Sequence, residues 1–136
     1  MRSLLFVPAD DKSKIAKAMV TESDALILDL EDSVAPARKD LARQTAAEAI
    51  AAAEGNRPRL YVRLNPLTSG LAATDLATIM AARPYGVMQP KARSAADAVT
   101  LSAMITGHER ELGIDEGTTK LIVLITESAA AMQAMS

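Results

Sequence analysis

Five short apolar runs punctuate the chain: Leu4–Val7, Ala25–Leu30, Leu60–Leu64, Gly86–Gln89 and Leu121–Ile125. Each has the length of a strand, and most are continuous rather than alternating, the pattern of strands buried on both faces of a parallel sheet. Between them lie stretches with helical signals. Lys12–Glu22 follows Asp10-Asp11; Arg38–Glu54 is rich in alanine and ends at Gly55, suited to a helix C′ position; Ala73–Ala82 runs up to Pro84; Ser94–Leu112 opens on a serine cap and stops at Gly113. The strand and helix patterns alternate throughout, with strand starts 21, 35, 26 and 35 residues apart, or about 29 per unit. No linker or low-complexity stretch divides them, so residues 1–136 read as part of one α/β domain. Five such units fit a five-stranded doubly wound sheet, or the first five units of a (β/α)8 TIM-type barrel.

Composition narrows the chemistry. Alanine fills 27 of 136 positions and the only aromatic residues are Phe6, Tyr61 and Tyr85, so the core is built from small and aliphatic side chains. Fifteen basic and 17 acidic residues give a net charge of −2, with no basic footprint for nucleic acid and no polybasic segment for a membrane surface. The absence of cysteine excludes disulfides, thiolate metal sites and cysteine nucleophiles, leaving oxygen ligands or His108 for any metal. The apolar run at the start, before Pro8 and Asp10, is too short for a secretion signal, and no later run reaches spanning length; the chain reads as cytoplasmic.

In either architecture functional residues gather where the strands end and the βα loops begin. Pro8-Ala9-Asp10-Asp11 follows the first strand, Asp29-Leu30-Glu31-Asp32-Ser33 the second, Arg63-Leu64-Asn65-Pro66 the third, Gln89-Pro90-Lys91 the fourth and Thr126-Glu127-Ser128 the fifth. Asp29, Glu31, Asp32 and Glu127 bring several carboxylates to one face, where they repel unless a cation or an arginine compensates. Mg²⁺ is the natural ion, being hard and needing neither cysteine nor histidine. The competing reading makes Asp32 or Ser33 a helix cap and Glu127 a favourable first-turn acid. Arg63 ends an apolar strand, where burial demands an anion: Glu31 or Asp32 in a structural pair, or a substrate carboxylate gripped by two parallel hydrogen bonds. Lys91 reads first as a solvated loop lysine and second as a group that orients a carboxylate. Lys14 and Lys17 share one helix face, either as a solvated surface, the commoner case, or as a contact for phosphates. His108 reads as a surface residue. No GxGxxG, Walker or Gly-x-Ser-x-Gly sequence occurs, which argues against dinucleotide, P-loop and serine-hydrolase sites.

Taken in order, RSLLFVPADD (2–11), ALILDLEDSVAPARKDLAR (25–43), LYVRLNP (60–66), QPKA (89–92) and VLITES (123–128) resemble the citrate lyase beta-subunit-like acyl-CoA lyases. That group of Mg²⁺-dependent aldolases, of HpcH/HpaI type, includes citryl-, malyl- and citramalyl-CoA lyases, and the resemblance spans essentially the whole chain. It implies a β/α barrel that cleaves or forms a carbon–carbon bond next to a thioester of CoA or acyl-carrier protein. It also implies Glu127 as a Mg²⁺ ligand, Arg63 as the group that binds the oxo-acid carboxylate, and Asp29, Glu31 and Asp32 as support beside the metal. Lys14 and Lys17 match a basic stretch near the CoA phosphates, with Phe6 close to the same pocket. Where the family often has glycine this chain has Ala9. The resemblance further implies a homo-oligomer, trimer or hexamer, and a catalytic carboxylate on a C-terminal lid, for which no residue of this chain is a candidate.

The chain stops nine residues past Glu127, before the further metal-binding Asp, the remaining barrel units and the lid of such lyases, so we expect it to be the N-terminal part of a single barrel domain. At about 29 residues per unit, eight units need roughly 230. Two other readings stand beside this one: a non-catalytic piece that binds a partner through an open sheet edge, and a signalling receiver-like domain. The receiver needs an Asp where Arg63 stands and a Lys where Glu127 stands.

Overall fold

A computed structural model describes residues 3–53 and 58–125. Five strands, β1 (Leu4–Pro8), β2 (Ala25–Asp29), β3 (Arg59–Arg63), β4 (Gly86–Ala92) and β5 (Lys120–Ile125), alternate with α1 (Lys12–Met19), α2 (Lys39–Ala52), α3 (Ala72–Met80) and α4 (Ala95–Leu112). Asp11 caps α1 by accepting from the Lys14 backbone N–H at 3.0 Å, and Thr21 then closes the helix on the Ala18 carbonyl, so α1 ends at Met19, short of the predicted Glu22. Helix α2 starts at Lys39 because Pro36–Arg38 forms a 3-10 turn. The expected stop at Gly55 lies outside the described residues. Ser94 precedes α4 as predicted but its side chain caps nothing; Asp97 instead accepts from the Arg93 N–H at 2.8 Å.

All four strand pairings are parallel and the order is β1-β2-β3-β4-β5. This decides between the two predicted architectures. A receiver-type doubly wound sheet reverses direction at a switch point, in the order 2-1-3-4-5, and puts helices on both faces. A monotonic order with right-handed crossovers puts every helix on one face, as in a barrel wall. The core divides accordingly. Leu26, Leu28, Leu60, Val62 and Val87 meet the helices through Ile15, Ala42, Ala46, Leu76, Ile79 and Leu101, all fully or nearly fully buried. Full burial of each large aliphatic side chain here is worth about 1.5–3 kcal/mol.

The opposite, inner face carries Ala25, Ile27, Tyr61 and Met88, with Tyr85 and Ile122 packed against them. Tyr61 and Tyr85 meet edge to face at 5.4 Å, and the Arg59 guanidinium lies 4.7 Å over the Tyr85 ring. Gly86 makes room for Tyr61: a β-carbon there would fall 2.6 Å from the ring and 2.7 Å from the Lys120 carbonyl oxygen. Leu4, Phe6 and Leu124 remain exposed. No helix among the described residues is long and apolar enough to cross a membrane.

Candidate functional site

Sheet register builds the site. Pro8, Asp29, Arg63, Met88 and Ile122 are successive partners across the five strands, so their side chains share the inner face near the strands' carboxyl ends. Asp29 and Arg63 are adjacent in that row. Arg63 Nε donates to Asp29 Oδ1 at 2.7 Å and Nη2 to Oδ2 at 2.8 Å, a bidentate pair. Of the structural partners expected from sequence, Glu31 is present only as a longer ion pair, 3.7 Å from Arg63 Nε, and Asp29 makes the hydrogen bonds. Asp29 also accepts from the Glu31 N–H at 2.9 Å, the Ser33 N–H at 3.0 Å and the Ser33 hydroxyl at 2.6 Å. Burial alone would raise its pKa, but these donors, Arg63 foremost, bring it down to about 2. Asp29 is therefore saturated, and what it does is aim Arg63. Ser33 and Asp32 cap no helix; they lie in a turn wound around Asp29. The turn is pinned from outside by Lys39, whose ammonium donates to the Leu30 and Glu31 carbonyls, each at 2.7 Å.

Two of the five N–H donors of Arg63 go to Asp29, leaving three without a partner among the described residues, on a side chain 17% exposed. The Phe6 ring lies 5.0 Å below the guanidinium. Glu31 is 5% exposed, yet neither carboxylate oxygen accepts a well-formed hydrogen bond. Its neighbours are cations: Arg63 Nε stands 3.7 Å from Oε1 and Lys91 Nζ 2.9 Å from Oε2. Lys91 also reaches the exposed Asp32 at 3.2 Å, and contact with these carboxylates, Glu31 first, raises its pKa.

Lys91 is thus neither in a loop nor merely solvated, the reading put first from sequence. It belongs to β4, which runs three residues past its predicted end through a register shift between Gln89 and Ala92. Pro90 has no N–H for the ladder, and Lys91 takes a left-handed backbone, φ 52°, that costs a side-chain-bearing residue about 1–2 kcal/mol. Strain of this kind concentrates at functional positions.

Glu127, the expected metal ligand, lies outside the described residues. Among the described residues no three acidic or histidine side chains converge as a metal site. The described part sets three carboxylates, Asp29, Glu31 and Asp32, against three cations, Arg63, Lys91 and Lys39, so the charges of this turn balance. Phe6 joins Arg63 on the inner face, whereas Lys14 and Lys17 stand exposed on α1, on the helix side, so the structure does not bring these three together. His108 lies half-buried on α4, away from the row.

Sequence reading missed a second polar network. Asp75, fully buried, accepts from Arg43 Nε at 2.6 Å, from the Asn65 N–H at 2.8 Å and from Asn65 Nδ2 at 2.9 Å, tying α2 and α3 to the loop that follows Arg63. Its one legible trace was Arg43 amid the buried stripe Ala42, Thr45, Ala46 and Ile50. Glu109, beside His108, is likewise buried, accepting from the Gly117 and Thr119 N–H groups at 3.0 and 2.8 Å.

A singly wound parallel sheet with helices on one face, carrying paired charges at the carboxyl ends of its strands, is the wall of a β/α-barrel with its polar mouth. Within that class the chain belongs to the HpcH/HpaI aldolase/citrate lyase family, whose model matches residues 2–136. It is 33% identical over 133 residues to the citrate lyase subunit beta of Haemophilus influenzae, covering 98% of this chain and 46% of that protein. It is 35% identical over 136 residues to the L-malyl-CoA/beta-methylmalyl-CoA lyase of Cereibacter sphaeroides, covering 96% and 42%. Among solved structures it superposes on CitE of Mycobacterium tuberculosis in complex with magnesium, acetoacetate and coenzyme A, with a TM-score of 0.71 and 31% identity, over 96% of this chain and 41% of that one. The chain therefore spans less than half the length of these curated relatives.

Proposed function

We propose that the protein carrying this chain is a Mg²⁺-dependent carbon–carbon lyase that cleaves a β-hydroxyacyl thioester, of the citryl-, malyl- or citramalyl-CoA type, into an acyl thioester and an oxo-acid. The observation that carries this reading is Arg63, aimed by a saturated Asp29 onto the mouth with donors to spare. A planar guanidinium so held is suited to the carboxylate of a small oxo-acid. The relatives' names, citrate lyase beta subunit and malyl-CoA lyase, point to the same chemistry.

In the cleavage direction the substrate hydroxyl loses its proton and the oxygen becomes the carbonyl of the oxo-acid. The adjacent carbon–carbon bond breaks, and its electron pair passes to the thioester enolate, which takes up a proton. Arg63 holds the oxo-acid half through its carboxylate, so that the breaking bond is presented in one orientation. Asp29 keeps the guanidinium planar to the mouth, and Phe6 gives it an apolar backing. Glu31 and Asp32 would support a cation beside this turn, with Glu127 as its ligand. Mg²⁺, when bound, supplies Lewis-acid polarisation of the oxo-acid oxygens. Lys14 and Lys17, exposed and without ion-pair partners among the described residues, suit the phosphates of CoA or of an acyl-carrier-protein thioester. On this reading residues 1–136 are one part of a single barrel domain, and the protein works in the cytoplasm as a homo-oligomer, trimer or hexamer.

The test is oxo-acid release from malyl-, citramalyl- and citryl-CoA by the intact protein carrying this chain, with and without Mg²⁺. Arg63→Ala should lower kcat/KM at least about 100-fold, the equivalent of about 3 kcal/mol. An unchanged rate in a folded Arg63→Ala variant would remove Arg63 from the site.

A further inference from the structure

Among the described residues of the sheet, the one non-glycine with a left-handed backbone, Lys91, reaches across a neighbouring strand. Lys91, with φ 52° at the break in β4, extends past β3 to the turn after β2, where its ammonium meets Glu31 Oε2 at 2.9 Å and Asp32 Oδ1 at 3.2 Å. Glu31 is buried between two cations, with the Lys91 ammonium 2.9 Å from Oε2 and the Arg63 guanidinium 3.7 Å from Oε1. A buried carboxylate that loses its partner closes on the nearest cation left. If the Lys91 ammonium is removed, that cation is Arg63.

We propose that Lys91 is a positioning residue that holds the Glu31 carboxylate away from Arg63, and so keeps the guanidinium open to the carboxylate of the ligand. The left-handed backbone at Lys91 is what brings the ammonium to Glu31, and the bulge after Gln89 is what permits that backbone. Asp32, exposed, fixes the ammonium from the solvent side. The inference rests on the oxo-acid reading of Arg63 for the identity of the ligand, but not for the contest between Glu31 and the guanidinium.

The experiment compares Lys91→Met, Lys91→Arg, Glu31→Gln and Lys91→Met/Glu31→Gln in the intact protein, with oxaloacetate and pyruvate as probes in the presence of Mg²⁺. Calorimetry should show Lys91→Met weakening oxo-acid binding at least 10-fold, Lys91→Arg staying within about 3-fold of wild type, and the double variant recovering to within about 3-fold of Glu31→Gln alone. Thermal midpoints should stay within a few degrees, which separates positioning from simple support of the fold. A double variant that binds no better than Lys91→Met would overturn the proposal, as would a Lys91→Met variant that binds like wild type. Side-chain nitrogen NMR of Arg63 gives a readout independent of function: its signals should shift in Lys91→Met and return in the double variant. If wild type binds no oxo-acid, the proposed activity falls, while the Arg63 signals still decide this inference; signals that do not move on Lys91→Met refute it.

Discussion

Replacing Asp75 by asparagine removes one charge from the interior and disturbs three hydrogen bonds at once. The carboxylate is fully buried and accepts from Arg43 at 2.6 Å and from two nitrogens of Asn65 at 2.8 and 2.9 Å. An amide keeps one acceptor and turns an NH₂ group towards either the Arg43 guanidinium or the Asn65 N–H. Arg43, itself buried, keeps only Asp40, a carboxylate almost wholly in solvent, which contributes little. Breaking a buried pair from one side costs about 3–5 kcal/mol, against a total stability of about 5–15 kcal/mol. We expect Asp75→Asn to lose about 3 kcal/mol in urea denaturation of the intact protein, at an unchanged m-value. The double variant Arg43→Met/Asp75→Leu should lose less than Asp75→Asn, because the charges leave together and only the Asn65 donors are orphaned, at about 1–3 kcal/mol. A loss below about 1 kcal/mol for Asp75→Asn, or a double variant worse than the single, would refute the account of this network.

Two further outcomes follow from geometry already described. Asp29 titrates at about 2 in the folded protein against an ordinary 3.8, so its stabilisation is fully present above about pH 4 and disappears as pH falls through 2, amounting to about 2 kcal/mol. Glu109, lowered by the backbone N–H groups of Thr119 and Gly117 despite its burial, adds to the loss in the same direction. Urea midpoints measured from pH 6 to pH 2 should therefore fall more steeply for wild type than for Asp29→Asn, and equal slopes would contradict the assignment. Gly86→Ala forces a β-carbon against the Tyr61 ring and the Lys120 carbonyl and should cost about 1–3 kcal/mol in thermal denaturation. Adding Tyr61→Leu should recover only part of that, since the Lys120 contact is backbone.

The alternation of elements is legible because each strand is a compact apolar run, and the four described helices fall between those runs as the spacing predicts, though their ends differ by a few residues and Ser94 caps nothing. The choice between sheet topologies is not legible, since strand order is a property of pairing and leaves no trace in a run's composition. The site shows how little separates a near miss from a hit. Beginning β3 at Leu60 places Leu64 opposite Asp29; the strand in fact begins at Arg59, which places Arg63 there. A one-residue slip exchanges the two faces of a strand, and the apolar runs alone do not specify the register that pairs Arg63 with Asp29. Lys91 was misjudged for a related reason. The apolar run stops at Gln89, whereas β4 continues to Ala92 through a register shift at the proline. Asp75 carried no signal of its own: an acid in the first turn of a helix is ordinary on a surface, and only the packing of α2 against α3 makes it interior.

The monotonic strand order bears on how the chain reaches this structure. Among the described strands each pairs with the one made just before it, so none of these four pairings waits for a later segment to be inserted between its strands. The sheet can lengthen in the order of translation, one hairpin-free βα increment at a time, with sequence separations between partners that stay short as it grows. The Asp29–Arg63 pair can thus close as soon as β3 docks on β2, so the guanidinium is oriented before β4 and its lysine arrive.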